Sequence, residues 1–264
     1  MFAYTNVQPN HFIKNLELFC KNHLEHSLAL ETQLKSLSLM SFSRMKKSDS
    51  LFFSLDYTVR CASVALDFIE GLTIRRGYVD EEHFRLVLCT SLFAHVGIIR
   101  GIFPGDEDPL FTVSAHAKKD VPNSKTDSAL WRYYTKRSAL FVKQNLAQQS
   151  NLDLDIIEKA INNTDFTKKI DENNLNTIGK ITRACQIVAL FSSEDFNRYI
   201  VKIYLSSKEG DILNRFRLYE LEDFRNGLKQ YFWDYLFSSI SDTISVIQET
   251  DKGFKKIARL YTRV

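Results

Sequence analysis

Apolar positions recur along the chain at intervals of three and four, the period of an α-helix with one face turned inward. Phe12, Leu16, Phe19 and Cys20 follow this spacing in HFIKNLELFCKNHLEHSLALETQLKSL, which Pro9 and Asn10 are placed to open. The polar stretch 43–50, SRMKKSDS, then reads as an exposed loop. Ser54 or Asp56 is placed to cap a helix through about Leu72, with Val59, Ala62, Leu66 and Ile69 inward. Asp80 and two glutamates open DEEHFRLVLCTSLFAHVGII, as a helix dipole favours. The later half of that segment is apolar nearly all round, so it is expected to be the central helix.

The next 25 or so residues, 101–125, hold three of the four prolines and read as a long functional loop or lid. Thr126 or Asp127 should cap SALWRYYTKRSALFVKQNLA, and a shorter helix should cover 153–163. Asn174 is placed to open LNTIGKITRACQIVALF, with Ile178, Ile181, Cys185 and Val188 as its core stripe. Helices over EDFNRYIVKIYLSS and LKQYFWDYLFSSISDTISVIQ follow, and one capped by Thr250 or Asp251 closes the chain. Tyr231, Phe232, Trp233 and Tyr235 are expected to pack in the core. The fold class expected is all-α.

Composition narrows the class. The 264 residues are 44% hydrophobic and 25% charged, an ordinary globular balance. A net charge of +3 is too small to point to nucleic acid or an anionic membrane surface. No run of about 20 apolar residues predicts a membrane span, and the first residues lack a signal-peptide pattern. Cys20, Cys61, Cys89 and Cys185 lie far apart in apolar runs, so free thiols and a cytoplasmic setting are expected.

Five segments together carry a likeness to a known family. They are LFAHVGIIRG (92–101), TKRSALFVKQ (135–144), IGKITRACQIVALF (178–191), QYFWDYL (230–236) and GFKKIARLYTRV (253–264). Their order and spacing resemble the HD-domain superfamily of metal-dependent phosphohydrolases, helical bundles that hold divalent metals through a His, a His-Asp pair and a later Asp. The resemblance implies an HD-like helical domain over 51–264, with 1–50 as an N-terminal helical extension packed on it. It also implies where the metal ligands should stand, and this chain departs at each place. Tyr57, in Leu55-Asp56-Tyr57-Thr58, occupies the first His position; Ala94 and His95 occupy the His-Asp pair. The last Asp falls on Gln186 or, in the alternative register, on Cys185.

One imidazole with a phenol, a methyl and an amide cannot offset the dehydration of a hard divalent cation. Neither metal nor other cofactor is therefore expected, and no residue is assigned a catalytic role. The expected protein is a pseudoenzyme acting as a binding or regulatory module. Its ligand would be an anionic small molecule or a protein partner, and the aromatic C-terminal third would suit a homodimer. Arg100, Arg137 and Arg183, near the same implied cleft, are candidate anion-binding residues. The alternative is a divergent phosphohydrolase rearranged around His95, His116 and the acidic run Asp106, Glu107 and Asp108. His23 and His26, with Glu17 and Glu25 nearby, are a weaker metal-ligand pattern read as solvated surface.

Overall fold

The structure, a computed structural model, describes residues 7–24, 27–121, 125–149, 151–168 and 176–264. The protein is predominantly all-α, with twelve α-helices and one two-stranded sheet among those residues. The segment read as one leading helix is two, α1 (Val7–His23) and α2 (Leu28–Met45). α3 (Leu55–Arg76) follows the expected signals closely. Extended Ser54 accepts a hydrogen bond from the Tyr57 N–H (3.3 Å), Arg75 and Arg76 fill the last turn, and Gly77 stops the helix at φ 77°.

α4 (Glu81–Phe93) is capped by Asp80 as expected, but it ends six residues short of the expected Ile99. The chain turns through a 3-10 stretch, Val96–Ile98, because Gly97 leaves the helix to touch α5 (Tyr134–Asn145). Its N–H is taken by Ser138 Oγ (2.8 Å), which in turn donates to the carbonyl of Ala94 (2.9 Å). The expected long loop also has structure. Strands β1 (Leu110–Ser114) and β2 (Ala117–Asp120) pair antiparallel from Leu110–Asp120 to Ser114–Ala117.

Thr126 caps a short 3-10 turn, Asp127–Leu130, ahead of α5. α6 (Leu154–Asn162) and α7 (Thr177–Phe191) are capped by Asp153 and Asn176; Asn174 lies outside the described residues. α8 (Phe196–Glu209) and the single-turn α9 (Leu213–Phe216) lead into the C-terminal third. There the expected long helix is broken into α10 (Leu221–Tyr231), a π-turn at Phe232–Leu236, a 3-10 turn at Phe237–Ser239 and α11 (Ser241–Ile247). α12 (Asp251–Tyr261) opens on Thr250, whose hydroxyl accepts from the Gly253 N–H (2.9 Å).

α3 and α7 lie side by side at the centre, with α4, α11 and α12 packed around them. The later half of α4, Leu86 to Phe93, is buried throughout, as expected, and the helix packs against α2, α3, α6 and α7. α7 is buried at every position from Ile178 to Phe191 except Lys180, so its one polar stripe is reduced to a single lysine. α1 and α2 add Phe12, Leu16, Phe19, Leu30, Leu34 and Leu37 to the same continuous core. Phe12 meets Phe42 edge-on at 5.5 Å, and Phe19 meets Phe84 at 5.1 Å.

Gly97 lies directly against the backbone of α5. A Cβ there would lie 2.2 Å from the Ser138 N, 2.3 Å from the Tyr134 carbonyl oxygen and 2.6 Å from the Arg137 Cβ. Backbone cannot rotate aside as a side chain can. Gly97→Ala should therefore lower unfolding stability by about 3 kcal/mol, read by urea denaturation. A loss below about 0.5 kcal/mol would show that α5 can shift away.

Candidate functional site

The four positions at which the HD likeness places metal ligands do come together, across α3, the end of α4 and α7. Tyr57, Ala94, His95 and Gln186 are all fully buried. The Tyr57 ring stacks on the His95 imidazole at 5.1 Å and 29°, and its hydroxyl donates to the Gln186 carbonyl (3.1 Å). His95 Nδ1 lies 3.3 Å from the Thr58 hydroxyl. Phe53 (5.4 Å) and Tyr134 (6.2 Å) complete the aromatic surround of the imidazole. The contact between Tyr57 and His95 is thus a ring stack, not a hydrogen bond. Cys185, the alternative to Gln186, is also buried, and burial raises its thiol pKa.

This centre has no anionic oxygen among Tyr57, Ala94, His95 and Gln186. Burial lowers the His95 pKa to about 3, and the nearby Gln186 side chain opposes that only weakly. Burial likewise pushes the Tyr57 phenol well above its ordinary value. Neutral groups of this kind do not fit a hard divalent cation. Among the described residues no group of three or more His, Cys, Asp or Glu side chains is arranged to hold a metal. His95 Nε2 and both amide atoms of Gln186 are buried without a hydrogen-bond partner.

The three arginines do not share a cleft. Arg137 is fully buried and enclosed by acceptors: the carbonyls of Gly97 (2.6 Å), Ile99 (2.8 Å) and Thr112, and the carboxylate of Asp106 (2.8 Å), whose side chain is also fully buried. Burial alone would raise the Asp106 pKa. The Arg137 guanidinium and the N–H groups of Thr112 and Phe103 outweigh it and hold the carboxyl below its usual range. Arg100 bridges Asp127 (3.2 Å) and Asp49 (3.0 Å). Arg183 donates to the carbonyls of Asp165 (2.7 Å), Phe166 (3.3 Å) and Lys168 (3.1 Å), and burial lowers its pKa. Each guanidinium is committed to the protein's own oxygens, which corrects the expectation of an anion site built from all three.

The remaining sequence candidates separate as well. Asp106 belongs to Arg137, whereas Glu107 and Asp108 are exposed. His116 is exposed at the turn of the hairpin, while His95 is in the core. His23 is exposed and lies against Phe19 (4.8 Å); His26 and Glu25 lie outside the described residues. Tyr231 and Phe232 are buried as expected, but the π-turn directs Trp233 and Tyr235 outward, each 44% exposed.

Sequence reasoning missed an open groove of about 580 Å³ between α1, α3 and α12. Arg60, Asp67 and Glu70, at i, i+7 and i+10 on α3, put one polar stripe along its floor. Lys252, Lys256 and Arg259, at i, i+4 and i+7 on α12, do the same for one wall. Lys256 bridges the buried carboxylate of Asp67, and Arg259 pairs with Glu194 (3.1 Å). Burial raises the Asp67 pKa against the pull of Lys256. The signal in the sequence was a polar stripe on helices read only for their apolar faces.

Fold and site define a helical bundle with a closed aromatic centre and an open lateral groove. Over residues 2–264 the chain matches the Npun_R2479-like family model, and it belongs to that family. No curated protein and no solved structure matches it, and nothing in these comparisons links it to the HD-domain superfamily.

Two measurements test the electrostatics described above. Folded His95 takes up its proton only near pH 3, whereas the unfolded group does so near pH 6.5. The unfolded state therefore binds more protons between these values, and stability falls as pH drops through that window, by up to ~1.4 kcal/mol per pH unit. His95→Phe should lessen the loss of stability from pH 6.5 to about 4.5, and equal slopes would count against a neutral buried imidazole. Asp106→Ala should cost about 4 kcal/mol by leaving Arg137 charged and unpaired, and Asp106→Leu with Arg137→Met should recover most of it. A single-variant cost under about 1 kcal/mol would show that water reaches the guanidinium.

Proposed function

We propose that the protein is a metal-independent binding or regulatory module on an HD-like helical scaffold, a pseudoenzyme whose former metal centre is filled by side chains. The observation that carries this reading is the stack of Tyr57 on His95 against Gln186, with all three fully buried. A water nucleophile activated by a metal needs a charged cation and a wet, open coordination position. An aromatic ring occupies the space beside the imidazole instead. An anionic small molecule or a protein partner would be bound elsewhere on the surface. Exposed Trp233 and Tyr235 support a partner-facing C-terminal third.

The test is elemental analysis of protein purified without chelator, together with turnover of a panel of phosphate monoesters and diesters. Metal well below one equivalent per chain, and no turnover that differs between the wild type and His95→Ala, are the expected results. Stoichiometric manganese, iron or zinc with hydrolysis abolished in His95→Ala would overturn the proposal.

A further inference from the structure

The groove between α1, α3 and α12 has the chemistry of a ligand site. Its volume of about 580 Å³ is that of a pocket for a small molecule. The floor from Arg60 to Glu70 runs for about 15 Å at the rise of an α-helix. Its two walls carry no carboxylate. α1 presents amide and imidazole groups, among them His11, Asn15 and Asn22, and α12 presents only cations. The acids that line the groove are Asp67 and Glu70 on the floor and Glu194 beyond the end of α7.

Two of those three acids already have partners. Asp67 is buried and bridged by Lys256, so its charge is matched within the protein. Arg259, 38% exposed, donates to the Ser192 carbonyl (3.3 Å) and pairs with Glu194, 76% exposed, a surface ion pair of the weak kind. Lys252, on the same face of α12, makes no ion pair with any described residue. Leu18 stands 52% exposed on the α1 side and supplies apolar surface, with the buried Phe12, Phe19 and Val64 beneath it.

We infer that this groove binds a small organic anion, with its apolar body against α1 and its phosphate or carboxylate group on Lys252 and Arg259 of α12. The α12 wall offers donors alone, so an anionic acceptor is the group that complements it. The buried Asp67–Lys256 pair between the two cations fixes α12 on α3 and keeps the wall in place. This assignment stands on the groove and is independent of the state of the Tyr57–His95 centre, so finding a metal there would leave it untouched.

The probe is 8-anilinonaphthalene-1-sulfonate, an aromatic body with one anionic group, compared with the uncharged N-phenyl-1-naphthylamine. The folded full chain should bind the sulfonate saturably at one site and the uncharged dye at least tenfold more weakly. Lys252→Glu with Arg259→Glu should weaken sulfonate binding at least tenfold while leaving the far-ultraviolet circular dichroism unchanged. Decyl phosphate and decanoate are the competitors. Displacement by either, but not by decanol, supports the inference, and the more potent acid identifies the head group. If the double variant does not fold, Leu18→Glu, on the opposite side, takes its place with the same tenfold loss expected. Equal binding of both dyes, undiminished binding to the folded variants, or no saturable sulfonate binding overturns the inference.

Discussion

A guanidinium is charged at every pH a folded protein meets, so burying one obliges the chain to bring oxygens to it. Arg137 imposes that obligation here. Its side chain has no exposure, and four separate stretches supply its acceptors: the turn after α4, the residues just beyond it, the loop at Asp106 and strand β1. The path from α4 to α5 is therefore anchored around one side chain. A segment that composition marks as a lid is pinned at Asp106 and Thr112. Gly97 belongs to the same arrangement, because the arginine reaches the Gly97 carbonyl only where the backbone lies against α5 without a Cβ between them.

A short distance away, the Tyr57–His95–Gln186 centre meets burial in the opposite manner. Its groups are polar but uncharged, and aromatic rings surround them. Arg137 is satisfied through a full set of partners, whereas His95 is accommodated as a neutral ring with one ring nitrogen and the neighbouring amide left unpaired. Such unpaired atoms cost stability. They persist where packing on every side fixes the rotamers, as the rings do here.

Much of the fold was legible because helix starts are local. Ser54, Asp80, Thr126 and Thr250 each accept the hydrogen bond that a reading of adjacent residues assigns to them. The breaks were not legible, since their causes lie far along the chain. α4 stops at Phe93 because of Ser138 and Arg137 on another helix, and the hairpin is held from the same place. Tyr57, His95 and Gln186, which the HD resemblance set side by side, do meet, but the aromatic surround of the imidazole comes from Phe53 and Tyr134, which no local pattern ties to it. The arginines were misassigned for a related reason. Sequence shows that a cation is present, not which carbonyls will surround it.

The placement of α1 bears on how the chain can be divided. Residues 1–50 look like an appendage to the rest, yet Phe12, Leu16 and Phe19 pack in the one continuous core, and α1 forms a side of the groove over α3. The first 50 residues and the rest share one core. α1 and α2 cover the apolar faces of α3 and of Phe84, a surface that, bare of them, would be suited to self-association.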